Sequence, residues 1–322
     1  MNIDELKPNT IVKDEVYAID KLEKRHKRNN DPYLKLTFSD STGRIDAIMW
    51  DGIEPIINNI NAGDIAKING SVGEYNNNLQ LTIRSLEVLQ NISPEESQNL
   101  LPSPPLPIDE MYNAIQDMAA TITNQHLQRL LQMFWLDNNI QELYKLVPGG
   151  KKWHHAYRGG LLHHTLTVMK ICDSVSPIYP QINRDELLCG AIFHDVGKTK
   201  EFKVGANFDY STSGRLIGHI HIGDNLVANY INRIPDFPEE LGLRLRHIIL
   251  SHHGEQGDAP VMPMTLEACF FYPVDLMDSQ VNAYTREMSK AENEDQPWTD
   301  YVNLINRFLY RGDRSVKTED NL

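Results

Sequence analysis

The stretch Leu188-Cys-Gly-Ala-Ile-Phe-His-Asp-Val-Gly-Lys198 places an imidazole and a carboxylate side by side in a segment that we predict to be helical. Adjacent ligands of this kind can anchor a divalent metal. Other candidate ligands flank the pair in chain order: His163, His164, His219, His252, His253, Asp275 and Asp278. One His-Asp pair is common by chance, but this many candidates on successive predicted helices is not. The pattern therefore predicts a helical metal site.

The chemical nature of the ligands restricts the metal. Neutral imidazole suits Mn, Fe, Co, Ni or Zn, whereas a site for Mg or Ca is mostly oxygen. A carboxylate such as Asp195 can bridge two ions with its two oxygens. Two ions about 3.5–4 Å apart can clamp the attacking and leaving oxygens of a phosphoryl transfer. We therefore expect two divalent ions and a phosphohydrolase, with Asp195 as the bridge.

Five short motifs resemble those of the HD-domain phosphohydrolases in order and spacing. They are Gly160-Leu-Leu-His-His-Thr-Leu, His194-Asp195-Val-Gly-Lys198, Gly218-His219-Ile, Ser251-His252-His253-Gly254 and Val274-Asp275, and they span roughly residues 150–285. The resemblance implies that one ion is held by His164, His194, Asp195 and Asp275, and a second by Asp195, His219, His252 and His253. It also implies that Lys198, one helical turn beyond His194, faces the scissile phosphate.

The sequence leaves two assignments near this site open: which carboxylate binds the metal, and whether His163 is a ligand. Asp275 and Asp278 are three residues apart on one helical face, so by spacing alone either could reach the metal. The family pattern favours Asp275. A single His on a helix is more often structural than a ligand, and we apply that interpretation to His163.

The segment Lys151-Lys-Trp-His-His-Ala-Tyr-Arg158 precedes the first predicted ligand helix. His154 and His155, with Lys151, Lys152 and Arg158, either bind substrate phosphate or lie in a polar loop. In the catalytic interpretation, Lys198 adds positive charge where the transition state gathers negative charge, with Arg158 or Lys152 as helpers. No protein nucleophile is then needed.

Composition is that of an ordinary globular chain, and 322 residues suffice for two domains. The start, Met1-Asn-Ile-Asp-Glu5, lacks the basic and apolar regions of a secretory signal, and no stretch of 18 apolar residues is present. We therefore expect a cytoplasmic location. Cys172, Cys189 and Cys269 are scattered and odd in number, which argues against a disulfide framework and a cysteine zinc site.

The net charge of −13 by itself argues against a nucleic-acid partner, because non-specific affinity comes largely from Lys and Arg. However, Lys21-Leu-Glu-Lys-Arg-His-Lys-Arg28 concentrates five basic residues against one acid. Such a run is usually a solvated loop, so its structural setting decides its meaning.

That setting is a series of predicted strands. Residues 10–20 alternate, Tyr33–Phe38 places apolar residues on one face, and Arg44–Trp50 follows the Asp40-Ser-Thr-Gly43 turn. A short helix over Ile53–Ile60 precedes strands at about 64–74 and 79–89, which the Asn76-Asn-Asn78 turn joins. Five strands with a helix between the third and fourth resemble an OB-fold barrel.

The OB-fold contacts nucleic acid through its first inter-strand loop, where we place the basic run. Lys24, Arg25, Lys27 and Arg28 are therefore candidate phosphate contacts. The candidate stacking residues are Tyr33, Trp50 and Tyr75, although Trp50 and Tyr75 could equally fill the barrel ends.

These patterns predict a multidomain chain that combines α and β structure. We assign residues 1–90 to a five-stranded OB-fold barrel, 91–107 to a proline-rich linker, 108–315 to an all-α HD bundle and 316–322 to a polar tail. Met111, Ile115, Met118 and Ile122 recur at helical spacing and are predicted core residues. Further helices are predicted over Glu239–His253, Thr265–Asp278 and Trp298–Tyr310.

An OB-fold followed by an HD domain, with His154-His155-Ala-Tyr-Arg-Gly-Gly160 leading into the first ligand helix, resembles the YhaM-type 3′-to-5′ exoribonucleases. This resemblance implies manganese-favoured hydrolysis of single-stranded RNA or DNA to nucleoside 5′-monophosphates. A mononucleotide phosphohydrolase and a non-catalytic single-strand-binding protein are the alternatives. The OB-like domain weighs against the former and the full ligand set against the latter. HD enzymes often form homo-oligomers, but no coiled-coil seam is visible here.

Overall fold

The computed structural model describes residues 1–27, 29–62, 64–75, 78–89, 100, 104, 106–151, 153–204, 208–256, 259–288, 296–303 and 305–312. Several predicted features lie outside these residues. They are the candidate contacts Arg28 and Lys152, the Asn76-Asn77 part of the predicted turn, most of the linker and the polar tail.

The N-terminal part of the chain forms a closed β-barrel. Its strands are β1 (Ile11–His26), β2 (Pro32–Ser39), β3 (Arg44–Met49), β4 (Ile65–Tyr75) and β5 (Asn78–Val88), in the order β1-β2-β3-β5-β4. β3 and β5 are parallel, and the other neighbouring strands are antiparallel. Alternate side chains of β2, namely Leu34, Leu36 and Phe38, are buried inside the barrel, as a period of two requires. The predicted five-stranded barrel is confirmed.

The basic run is not an inter-strand loop as we predicted. β1 continues through it to His26, and Lys24 and Arg25 pair with Leu34 and Tyr33 of β2. The register shifts between Ile19 and Lys21, and beyond that shift Leu22 packs against the barrel core. The run therefore lies on a hairpin, where its pairing with β2 keeps it extended. We call residues 21–27 the basic arm.

The segment between β3 and β4 also differs from the prediction, because residues 54–59 form turns and not a regular helix. Two helical-type hydrogen bonds are present, from Ile57 N to Ile53 O at 2.8 Å and from Ile60 N to Ile56 O at 3.0 Å. They are mixed with tighter bonds from Ile56 N to Ile53 O at 3.0 Å and from Asn59 N to Ile56 O at 2.9 Å, so the pattern is not that of a regular α-helix. The segment buries Ile53 and Ile60 in the barrel core without needing a regular helix.

The second domain is predominantly helical. Its helices are α1 (Ile108–Ala120), α2 (Gln125–Trp135), α3 (Asn138–Leu146), α4 (Gly160–Val175), α5 (Arg184–Phe193), α6 (Lys198–Glu201), α7 (Thr212–Ile217), α8 (His219–Ile231), α9 (Glu239–Ser251) and α10 (Leu266–Met288). A small antiparallel hairpin, β6 (Phe202–Val204) and β7 (Phe208–Tyr210), follows α6. The predicted α-helical domain is confirmed.

Side-chain capping explains where several of these helices begin. Asn124 accepts hydrogen bonds from the first backbone N–H groups of α2, Asp137 does so for α3, and Asn183 for α5. Of the predicted core residues on and after α1, Met111, Ile115 and Ile122 are buried, and Met118 is partly buried against the same core.

α4 lies at the centre of the bundle, where it packs against α1, α3, α5 and α10. Its residues are buried on most sides, including Leu161, Leu162 and Leu166. This position explains how a polar side chain on α4, that of His164, becomes fully buried.

The C-terminal segment is not the helix that we predicted over Trp298–Tyr310. Thr299 N donates to Leu309 O at 2.9 Å, and the Trp298 and Tyr310 rings lie 4.9 Å apart across a hairpin-like pairing. Cross-strand aromatic contacts of this kind stabilise paired strands and here prevail over helical spacing. α10, in contrast, continues beyond the predicted end at Asp278 to Met288. Among the described residues, no helix is long and apolar enough to cross a membrane.

Candidate metal centre

The ends of the helices bring the predicted ligands together. His194 lies at the C-terminal end of α5 and Asp195 in the turn that follows, so the pair spans a helix end and does not lie within one helix as we predicted. His219 is the first residue of α8. The turn after Asp195 lies against this residue, since a Cβ atom on Gly197 would be 1.9 Å from the His219 carbonyl oxygen. Only glycine permits this approach, which places His219 beside Asp195.

The first group of candidate ligands surrounds the Nε2 atom of His164. This atom lies 2.9 Å from Asp275 Oδ1, 3.0 Å from His194 Nε2 and 3.7 Å from Asp195 Oδ2. His194 Nε2 lies 3.4 Å from the same Asp195 oxygen. The four side chains that the family pattern assigns to one ion therefore converge on one buried point.

The second group surrounds the other oxygen of Asp195. Asp195 Oδ1 lies 3.4 Å from His219 Nε2 and 3.6 Å from His252 Nε2. One ligand atom from each of His219, His252 and His253 lies within 4.8 Å of the others. Asp195 thus stands between the two groups with one oxygen facing each, as a bridging ligand would.

Hydrogen bonds to Nδ1 orient the candidate ligand imidazoles. The Nδ1 atoms of His194 and His252 lie 2.9 Å and 2.7 Å from main-chain carbonyl oxygens, and His219 Nδ1 lies 3.1 Å from a Glu201 carboxylate oxygen. Carbonyl and carboxylate oxygens only accept, so each Nδ1 carries the proton and each neutral ring presents a lone pair at Nε2.

The lone pairs without a hydrogen-bond donor provide a test of whether a metal fits. Asp195 Oδ1, His219 Nε2 and His252 Nε2 are buried and have no hydrogen-bond partner among the described residues. Burying several converging lone pairs without a hydrogen-bond donor costs free energy, and a cation bound between them removes that cost. The mixed nitrogen and oxygen donors therefore fit divalent transition metals.

The two carboxylates on α10 occupy different sides of His164. Asp275 faces Nε2, whereas Asp278 Oδ2 lies 2.6 Å from Nδ1. The same Asp278 oxygen lies 2.8 Å from His155 Nε2. Asp275 therefore lies on the side of the other candidate ligands, and Asp278 lies on the opposite side of the His164 ring.

Electrostatics keep the carboxylates of the site ionised. Burial by itself raises the pKa of Asp195, but the Lys198 ammonium holds that pKa well below its usual range. Burial likewise opposes ionisation of Asp275, yet its hydrogen bond with His164 keeps its pKa far below the usual value. Both groups can therefore act as anionic ligands at neutral pH.

The basic candidates near the site differ in accessibility. Lys198 is only 5% exposed, and its ammonium donates to Asp195 and to the Gly149 carbonyl oxygen. Arg158 is half-buried, and its Nε has no hydrogen-bond partner among the described residues. The His154 ring lies 5.4 Å from that of His164, and its Nδ1 is also without a partner there. Both of these unpartnered nitrogens are buried.

His155 does not fit its predicted contact with nucleic acid. Its side chain is 2% exposed and its two ring nitrogens bond to Asp278 and Tyr157. Burial in this polar network lowers the pKa of His155 to about 4, with desolvation as the main cause.

Sequence reasoning also missed Glu201, a buried acid that orients His219. The only signal in the sequence was a carboxylate one helical turn after Lys198.

The barrel presents its candidate stacking residues at the surface. Trp50 and Tyr75 are 43% and 62% exposed, so they do not fill the barrel ends. The Tyr33 ring lies 4.9 Å from that of Trp50 at an angle of 30°. On the basic arm, Lys24 is exposed, Arg25 pairs with Glu23, and Lys27 Nζ lies 2.6 Å from Asp51.

Comparisons with known proteins agree with this architecture. The HD domain family model matches residues 161–279, and an OB-fold nucleic acid binding domain model matches residues 11–89. Among solved structures, the second OB-fold domain of replication protein A from Methanococcus maripaludis is a weak match, with 18% identity and a TM-score of 0.23 over 29% of this chain and 97% of that one.

Curated relatives match both domains together. The 3′-5′ exoribonuclease YhaM of Shouchella clausii is 31% identical over 270 residues, which cover 82% of each chain. The protein of the same name from Bacillus licheniformis is 29% identical over 285 residues, 88% of this chain and 89% of that protein. The chain therefore belongs to the YhaM family of 3′-5′ exoribonucleases.

Proposed function

We propose that this chain is a metal-dependent 3′-to-5′ exoribonuclease that hydrolyses single-stranded RNA, and single-stranded DNA as a second substrate, to nucleoside 5′-monophosphates. The observation that carries the proposal is the position of Asp195, whose two oxygens face two separate groups of candidate ligands. The exoribonuclease relatives and the nucleic-acid-binding barrel support RNA as the substrate. A cytoplasmic location, where such RNA is found, is part of the proposal.

Two divalent ions, with manganese preferred, are the proposed cofactors. One would be held by His164, His194, Asp195 and Asp275, and the other by Asp195, His219, His252 and His253. When bound, such ions supply an activated water and neutralise charge on the scissile phosphate.

The chain's own residues prepare this chemistry. Lys198 holds Asp195 in place through a direct ion pair and adds positive charge beside the site. His154, whose ring lies 5.4 Å from that of His164, and Arg158 are the proposed contacts to substrate phosphate or base. Lys152, which lies outside the described residues, is proposed as a further phosphate contact.

The barrel would hold the upstream part of the strand. Lys24, Arg25 and Lys27 supply positive charge along the basic arm, and Tyr33, Trp50 and Tyr75 offer ring faces at the surface. Stacking and backbone contacts of this type bind single strands with little dependence on sequence. An exonuclease that degrades varied RNA needs such tolerance.

Digestion of 5′-labelled single-stranded RNA tests the activity. We expect a ladder that shortens from the 3′ end, with nucleoside 5′-monophosphates as the released product. A parallel reaction with nucleoside triphosphates is the control. Their dephosphorylation without a ladder would favour a mononucleotide phosphohydrolase, and RNA binding without either product would favour a non-catalytic protein.

Manganese is expected to support faster hydrolysis than magnesium. Most proposed ligands are imidazoles, whereas Mg²⁺ prefers octahedral oxygen and keeps its waters. The measurement is the RNA hydrolysis rate of chelator-stripped protein reloaded with each ion over a full concentration series. Higher turnover with Mg²⁺ throughout the series would contradict the ligand assignment.

A further inference from the structure

We propose that Asp278, His155 and Tyr157 are positioning residues for the first metal site, because they form a hydrogen-bonded chain that fixes which nitrogen of His164 faces the metal. This hydrogen-bonded chain begins at the proposed ligand His164 and ends at His163. The proposed mechanism gives no chemical step to the residues between them. The inference rests on the metal site of the proposed function.

Successive hydrogen bonds link the members of this chain. Asp278 Oδ2 lies 2.6 Å from His164 Nδ1 and 2.8 Å from His155 Nε2. The other nitrogen of His155, Nδ1, lies 2.7 Å from the Tyr157 hydroxyl. That hydroxyl also contacts Nδ1 of His163. Each group is therefore connected to the metal ligand through its neighbour.

The number of available protons gives the chain one direction. Ionised Asp278 only accepts, so His164 Nδ1 and His155 Nε2 must both donate to it. Neutral His155 then has a lone pair at Nδ1, which the single hydroxyl proton of Tyr157 satisfies. The Tyr157 oxygen in turn accepts the Nδ1 proton of His163. With its Nδ1 proton committed to Asp278, His164 can offer only Nε2 to a metal, on the side of Asp275 and His194.

The backbone around His155 holds the chain rigidly. His155 has a φ of 44°, which is unusual for a residue with a side chain, and its N–H donates to Asn282 Oδ1 on α10 at 2.7 Å. A Cβ atom on Gly160 would lie 1.9 Å from the His155 carbonyl oxygen. The loop is thus packed directly against the start of α4, and such a conformation persists only where the surroundings enforce it.

Loss of the Tyr157 hydroxyl should therefore weaken metal binding. His155 Nδ1 would become a buried acceptor without a donor. The His155 ring can then shift toward another donor, and the Asp278 oxygen that it shares with His164 Nδ1 would shift with it. Removing groups that orient metal ligands lowers metal affinity by about 10–100-fold.

The first test compares Tyr157→Phe with Tyr112→Phe. Tyr112 on α1 is the matched control, since it is also partly buried and its hydroxyl donates to Gln141 Oε1 at 2.9 Å, away from the ligands. The readouts are the Mn²⁺ dissociation constant from chelator competition and the visible spectrum of the Co²⁺-loaded protein. We expect Tyr157→Phe to weaken metal binding about tenfold and to alter the spectrum, and Tyr112→Phe to change neither.

A second pair of variants tests the direction of the chain at its outer end. The side-chain amide of His163→Asn can place an N–H donor where Nδ1 lies, whereas His163→Ala removes it. We expect the Asn variant to retain the wild-type dissociation constant and spectrum, and the Ala variant to lose affinity by a smaller factor than Tyr157→Phe.

Three results would overturn the inference: unchanged Mn²⁺ affinity and Co²⁺ spectrum in Tyr157→Phe, equal losses in Tyr157→Phe and Tyr112→Phe, or equal losses in the two His163 variants. Failure of the wild-type protein to bind Mn²⁺ is a different outcome, because it would remove the proposed metal site itself. Circular dichroism melting of every variant separates a change in metal affinity from a loss of folding.

Discussion

Asp195→Ala is expected to slow RNA hydrolysis by about a thousandfold or more and to lower the bound metal content. Asp195 is the side chain shared by both ligand groups, and metal ions stabilise transition-state charge by several kcal/mol, each ~1.4 kcal/mol being a factor of ten. Binding of long single strands through the barrel should remain largely intact, because the barrel is a separate domain. Elemental analysis measures the metal content, an RNA hydrolysis assay measures the rate, and a binding titration measures the affinity for long single strands.

The controls for this variant address its side effects. Replacement by Ala leaves the buried ammonium of Lys198 without its carboxylate, which destabilises the fold. Asp195→Asn keeps an oxygen near Lys198 while removing the shared charge, so it should lose activity with less loss of stability. Asp173→Ala removes a partly exposed carboxylate of α4 that pairs with Arg184, and it should change neither metal content nor rate. Full occupancy and activity in Asp195→Ala would exclude Asp195 as a ligand.

Replacement of Lys24, Arg25, Lys27 and Arg28 with Ala is expected to weaken binding of long single strands by on the order of a hundredfold near 0.1 M salt. Removing one side chain that neutralises a phosphate should reduce the slope of log affinity against log salt by about 0.7. Cleavage of a dinucleotide or trinucleotide should be spared, because a short substrate can fill the metal site without reaching the basic arm. Affinity titrations at several salt concentrations and short-substrate rates measure the two effects.

The ion pairs of the basic arm refine this expectation. Arg25 and Lys27 already neutralise Glu23 and Asp51, so each should contribute less to the salt slope than the exposed Lys24. A double variant of Lys7 and Lys13, which are exposed lysines outside the arm, shows the effect of losing two of the four charges at another surface. If the quadruple variant binds long RNA with an unchanged salt slope, the arm is only a solvated surface.

Several elements were predictable because their signals are local. The alternation of Leu34, Leu36 and Phe38 predicted a strand, and Met111 and Ile115 predicted a helix, since each pattern shows which face is buried. The prediction for residues 21–26 was wrong because they pair with the neighbouring strand β2, and that for 298–310 was wrong because the two ends of the segment pair with each other. A polar run or a helical spacing does not reveal such a partner.

The sequence by itself determined the two domain types and the identities of the candidate ligands, because motif order and periodicity are properties of the chain alone. Only the tertiary structure separated Asp275 from Asp278, which share a helical face but meet opposite nitrogens of His164. It also moved His155 from a substrate contact to the buried interior. The reason is that the spacing of residues along a helix shows only which face each side chain lies on. The role of a side chain depends on which atom of a distant residue it contacts.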